Sequence, residues 1–161
     1  MLRALASLIM VALIVSCDGQ TIRSGYTATD NGLWHKDSIM QFQFNGIDTV
    51  QPYNIFINIR NDQTFPYSNL FLIAELNTPN GDLVRDTLEY EMALPNGQWL
   101  GSGNGSLKEN KLWYKENIIF PSSGVYTLKV SHAMRKNGQV EGIAELEGIT
   151  DVGYQIEKLN P

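Results

Sequence analysis

Apolar residues at every second position mark most of this chain as β-structure. In residues 39 to 44 (IMQFQF), Met40, Phe42 and Phe44 alternate with Gln41 and Gln43. In 53 to 60 (YNIFINIR), Ile55, Ile57 and Ile59 oppose Asn54, Asn58 and Arg60. In 125 to 134 (VYTLKVSHAM), Tyr126, Leu128, Val130 and His132 oppose Val125, Thr127, Lys129 and Ser131. A period of two predicts strands with one face buried. Residues 69 to 76 (NLFLIAEL) are apolar on both faces, as suits a central strand. Further strands are predicted at 82 to 92, with Val84, Leu88, Tyr90 and Met92 inward, at 112 to 120, and at 151 to 158. Turn chemistry separates them: Thr78-Pro79-Asn80-Gly81, Pro95-Asn96-Gly97, Pro121-Ser122-Ser123-Gly124 and Asn137-Gly138. Residues 139 to 150 read as a loop or one short helix. Seven or eight short strands between turns point to an all-β fold, an antiparallel β-sandwich.

The first residues follow another logic. Arg3 precedes a twelve-residue apolar run, residues 4 to 15 (ALASLIMVALIV). A permanent bilayer span needs about 20 apolar residues, whereas this run has the length and order of a signal peptide. Ile14-Val15-Ser16-Cys17 follows it and resembles the lipobox of bacterial lipoproteins. That resemblance implies lipid attachment at Cys17 and cleavage just before it. Residues 1 to 16 are then a leader, 17 to 32 a lipid-anchored flexible tether rich in Gly, Ser and Thr, and 33 to 161 the folded domain. Cys17 is the chain's single cysteine, so no internal disulfide staples the domain and its core alone must hold it.

Charge and chemistry narrow the function classes. The formal charge is −5, and loss of Arg3 with the leader makes it one unit more negative. An acidic balance argues against nucleic acid as partner. His35 and His132 stand far apart in sequence with no metal-ligand spacing around either. Gly101, Gly103 and Gly105 lack the lysine of a phosphate loop. Glu89 and Glu91 share one strand face at about 7 Å, and a solvated face is the common use of such a pair. These features predict a non-catalytic chain without metal or cofactor.

Aromatic residues suggest a surface instead. In Leu112-Trp113-Tyr114, the tryptophan points opposite to its neighbours, and Trp113 is expected in the core. Trp99 lies in the irregular, glycine-rich stretch 97 to 107 (GQWLGSGNGSL), as a loop anchor or as a contact residue. Loops of this kind on a rigid sandwich often carry binding function. Trp99, Lys111 and Tyr114, with the run Lys108-Glu109-Asn110-Lys111, form the candidate partner surface.

Several longer segments carry a resemblance. These are Tyr67 to Leu72 (YSNLFL), Asp86 to Met92 (DTLEYEM), Gly97 to Gly101 (GQWLG), Lys108 to Lys115 (KENKLWYK) and Leu146 to Gly153 (LEGITDVG). In this order behind a lipobox they resemble the gliding-motility lipoprotein family called GldH, found across the Bacteroidetes. The resemblance implies an outer-membrane lipoprotein that supports the gliding apparatus and the associated type IX secretion machinery by contacts with partner lipoproteins. Asp18 stands alone after the cysteine, without the acidic cluster frequent on surface-exposed Bacteroidetes lipoproteins, so a periplasm-facing position is expected. The alternative is a glycan-binding sandwich in which Trp99 and Tyr114 stack on sugar rings.

Overall fold

The computed structural model describes residues 20–159; Cys17, the leader and the start of the expected tether lie outside them. Ten strands and no helix run through the described residues. They are β1 (Thr21–Ala28), β2 (Leu33–His35), β3 (Met40–Phe44), β4 (Pro52–Asn61), β5 (Asn69–Asn77), β6 (Leu83–Glu91), β7 (Lys108–Ile119), β8 (Tyr126–His132), β9 (Glu145–Glu147) and β10 (Ile149–Lys158). One four-stranded sheet has the order β1-β10-β4-β7 and a second the order β3-β8-β5-β6. A ribbon of β2 and β9 is separate from both, and every pairing is antiparallel.

The alternating positions meet between the two large sheets. Ile55, Ile57 and Ile59 of β4 face Leu70, Leu72 and Ala74 of β5 and Leu128 and Val130 of β8, all fully buried. Phe42 and Phe44 of β3 reach across to Tyr154 of β10 at 5.2 and 5.5 Å between ring centroids. A second aromatic group of Phe44, Tyr53, Phe120 and Tyr126 plugs the same end of the sandwich. Burying each such side chain contributes roughly 1.5–3 kcal/mol. At the other end Trp34 of β2 and Leu146 of β9 pair in register and are both fully buried. Trp34 sits edge-on to His132, whose Nε2 donates to the Trp34 carbonyl at 3.0 Å.

Four expectations are corrected. Residues 21–28 are not tether: β1 pairs with β10 from Thr21↔Glu157 to Ala28↔Asp151 and forms the sheet edge. Its stability comes from backbone pairing and from Tyr26 lying on Gly153, so only Ile22 carries an apolar signal. Residues 139 to 144 form a loop, one of the two expected readings, but 145 to 150 hold β9 and the start of β10. Trp113 is not core but 53% exposed. On β6, an edge strand, Val84 is exposed while Asp86, Leu88 and Tyr90 share the inward, half-buried side.

One glycine is dictated by a close approach. Gly148, between β9 and β10, has φ +82°, and an added Cβ would stand 2.1 Å from the backbone nitrogen of Phe65. Its carbonyl accepts from the Asp62 N–H at 2.9 Å. Only a residue without Cβ lets the 62–65 turn pack against this crossover.

Candidate partner-binding face

The outer face of the β1-β10-β4-β7 sheet is built from the polar half of the alternation. Register places Tyr26, Gly153, Asn58 and Lys111 in one row across the four strands. Ser24, Gln155, Phe56 and Trp113 form the next row, and Ala28, Asp151, Arg60 and Glu109 lie on the other side. The result is an ordered lattice rather than a loose solvated surface.

Glu109 is one hub. Its Oε2 accepts from Arg60 Nε at 3.1 Å and its Oε1 from the Tyr26 hydroxyl at 2.8 Å. The Arg60 guanidinium lies 4.2 Å above the Tyr26 ring, a cation–π stack that uses the planar fork of arginine. Partial burial, with the hydrogen bond to Glu109 second, pushes the Tyr26 phenol up to about 12. Glu109 also raises the Arg60 guanidinium above its ordinary value.

Glu157 is the other hub. Its Oε1 accepts from Lys111 Nζ and from Gln155 Nε2, each at 2.6 Å. Gln155 Oε1 accepts from Asn58 Nδ2 at 3.3 Å, while the buried Asn58 Oδ1 has no partner among the described residues. Phe56 is buried on this otherwise polar face: Lys111 Nζ sits 4.2 Å above its ring, and Trp113 packs 4.4 Å away. Trp113 therefore offers its outer surface to solvent from a supported position.

The sheet edge beside this face is managed with care. Tyr90 of β6 donates its hydroxyl to the Trp113 carbonyl at 2.6 Å, and Ser102 pairs with Glu109 through two backbone hydrogen bonds of 2.8 Å. Both cover groups that an edge strand would leave open to another chain. Burial pushes the Tyr90 phenol up to about 12, with Asp86 adding to the effect. The loop leading into β7 exposes Leu100 and Leu107, so apolar surface flanks the lattice at its distal edge.

The three residues of the expected surface separate. Lys111 lies on this face. Tyr114 is only 8% exposed; it points into the sandwich, and its hydroxyl donates to Asp86 Oδ2 at 3.1 Å. Burial and Asp86 together hold that phenol well above its ordinary value. Trp99 is half-buried against the core, 6.1 Å from the Phe65 ring, in a hairpin closed by Leu94–Gln98 and Leu100–Met92 backbone bonds. Trp99 thus pins its loop. The exposed aromatic of this strand is Trp113 rather than Tyr114, because the period of two makes neighbours point oppositely and Tyr114 took the inner side. A Trp99–Tyr114 sugar platform does not form. Glu89 and Glu91 both stay on the exposed side of β6, where Asn69 Nδ2 donates to Glu89 at 3.0 Å.

The family model for the GldH lipoprotein matches residues 21–156, from the first residue of β1 nearly to the end of β10. The chain is 53% identical over 148 residues to the "Gliding motility lipoprotein GldH homolog" of Christiangramia forsetii, covering 92% of this chain and 90% of that one. It is 41% identical over 151 residues to "Gliding motility lipoprotein GldH" of Flavobacterium johnsoniae, covering 94% and 93%. The chain belongs to the GldH lipoprotein family.

Membership in the family makes this a lipoprotein, associated with a membrane of the cell envelope. The family match begins at Thr21, inside the stretch expected as tether, in keeping with β1 as part of the domain. Among solved structures, a chain of the infectious bursal disease virus Gx strain aligns with 87% of this chain. That alignment spans 33% of the viral chain, at 12% identity and a TM-score of 0.40, too distant a likeness to bear on function.

Proposed function

We propose that this chain is an outer-membrane lipoprotein, periplasm-facing, that supports the gliding apparatus and the associated type IX secretion machinery through protein–protein contacts. It binds rather than catalyses, and its working surface is the outer face of the β1-β10-β4-β7 sheet together with the Leu100–Leu107 loop. The observation that carries this reading is Trp113: a tryptophan 53% exposed on a long strand, backed by Phe56 and framed by the Lys111–Glu157 and Arg60–Glu109 pairs. A rigid aromatic anchor within a polar, hydrogen-bonded rim is the composition of a protein-binding hot spot. The relatives' printed names support the gliding assignment, and the lipobox at Cys17 supports the anchor.

The test is genetic and biochemical together. Deletion of the gene is expected to lower secretion of type IX substrates or the abundance of companion lipoproteins. Trp113→Ala should reproduce that loss with the domain still folded and membrane-attached, and crosslinking through a photoreactive residue at 113 should recover a lipoprotein or machinery component. Unchanged secretion and unchanged companion lipoproteins in the deletion strain would defeat the proposal.

A further inference from the structure

Because β1 belongs to the sheet, the domain begins close behind Cys17. Only two residues, Asp18 and Gly19, separate Cys17 from Gln20, the residue before the strand, whose carbonyl already accepts from the Lys158 N–H at 2.9 Å. A chain advances at most about 3.3–3.6 Å per residue, so the acyl-bearing cysteine stays within about 10 Å of the Gln20 end of the sandwich. β1 itself is eight residues long, which puts its far end roughly 25 Å further from the anchor at strand rise. One end of the domain is held against the membrane, and the other cannot reach it without turning that end away.

The anchored end has a composition to match. Pro52 pairs with Ile119, Phe44 with Tyr126, and Asn77 with both Thr127 and Leu83, so the 45–51, 78–82 and 120–125 connections all lie at the Gln20 end. Arg23 Nε donates to the Asn45 carbonyl at 3.1 Å and ties the first of these to β1. These connections and the strand ends beside them present Val50 at 78% exposure, Ile119 at 56% and Leu83 at 55%, with Val125 close behind. The 119–125 segment carries no charge. In the 45–51 segment Asp48, the lone acidic group, turns its carboxylate back to accept from the Val50 N–H at 2.8 Å. Directly beneath lies the aromatic plug of Phe44, Tyr53, Phe120 and Tyr126, which gives these tips a firm base.

We infer that the Val50, Ile119, Val125 and Leu83 tips dip into the headgroup–acyl boundary of the bilayer that holds the Cys17 lipid, so the sandwich stands upright. The occupant of this end is the lipid surface itself. Exposed aliphatic groups gain by entering that boundary, and a lipid anchor within reach raises their effective concentration at the bilayer. Leu33, Ile39, Leu94, Leu100, Leu107 and Val140 are exposed as well, but they lie at the end away from Gln20, and Leu100 and Leu107 belong to the loop of the proposed partner surface. An upright stance lifts that loop away from the membrane and turns the outer sheet face sideways, open to partners.

The inference rests on the lipoprotein reading and can be separated from it. Acylation uses the one native cysteine, so Val50→Cys, Ile119→Cys, Val125→Cys and, as a distal control, Val140→Cys each offer one free thiol for an environment-sensitive dye. The lipidated full chain is placed in phosphatidylethanolamine–phosphatidylglycerol vesicles containing a nitroxide lipid quencher. Quenching several-fold stronger at positions 50, 119 and 125 than at 140 is expected, with blue-shifted emission at the same three. Equal quenching at all four positions, or none at the first three, overturns the upright stance. Protection of these positions in native membranes but not in pure vesicles assigns this end to a protein and also overturns it. Palmitate incorporation is measured in parallel: its absence defeats the anchor at Cys17, while acylation without quenching defeats the stance alone.

Discussion

Replacing Lys111 by methionine keeps most of the stem that lies over Phe56 and removes the ammonium. In the native domain that ammonium is 2.6 Å from Glu157 Oε1, and the Glu157 side chain is 10% exposed against 43% for Lys111. The variant therefore strands a carboxylate that is largely desolvated, with Gln155 as its remaining donor. A hydrogen bond to a charged group contributes about 1.5–3 kcal/mol, and breaking a fully buried ion pair costs about 3–5 kcal/mol. Exposure of the lysine partner screens the pair and sets the expectation below the second range. Loss of the cation over Phe56 adds about 0.5–1 kcal/mol. Lys111→Met should then destabilise the domain by about 2 kcal/mol, a fall in Tm of about 4–8 °C for a domain this size. Lys111→Glu should cost more, since it sets a second carboxylate beside Glu157. The assay is a double-mutant cycle with Glu157→Gln, read by urea unfolding of the acyl-free domain. A coupling of at least about 1 kcal/mol is expected. Singles that each stay within about 0.5 kcal/mol of the parent, with no coupling, would refute the view that the outer face is a fixed lattice. Trp113, whose outer surface is open among the described residues, is for the same reason the better probe of partner binding.

Gly148→Ala should destabilise the domain by about 2–4 kcal/mol, from a left-handed backbone and the overlap with Phe65; a midpoint in urea indistinguishable from the parent would show that the 62–65 turn can retreat freely. Trp99→Ala should cost about 2 kcal/mol, less than the 3–5 kcal/mol of a fully buried tryptophan, and should speed amide exchange across residues 92 to 102. Burial lowers the His132 imidazole below its ordinary range, against a weaker opposite pull from the Trp34 carbonyl. The unfolded chain thus binds this proton first. Stability should be level above about pH 6.5 and fall as pH drops toward the lowered folded value, by at most about 1.4 kcal/mol per unit. His132→Gln, which keeps a donor for the Trp34 carbonyl, should lose that slope in unfolding curves between pH 5 and 7.

Local pattern was enough for the parts of the fold where one face of a strand is apolar and the other is not. Ile55, Ile57 and Ile59 on β4, and Tyr126, Leu128, Val130 and His132 on β8, are buried as their alternation requires. The Pro-Asn-Gly turns end strands where backbone dihedrals demand it, as at Gly81 and Gly97 with φ +93° and +84°. Other features had no local signature. β1 is held by β10, more than 120 residues away, and by a tyrosine resting on a glycine, so nothing in its own composition separates it from a tether. In Leu112-Trp113-Tyr114 the alternation says only that Trp113 and Tyr114 part. Which one enters the core depended on Asp86 across the sandwich edge offering the Tyr114 hydroxyl a partner, and on Phe56 from the neighbouring strand giving Trp113 a seat outside. The outer lattice joins β1, β4, β7 and β10, so its chemistry exists only once the sheet order is set. Period-two patterning states that two faces differ; long-range pairing decides which face meets which, because the hydrogen bonds and apolar contacts that choose between them come from residues far away in the chain.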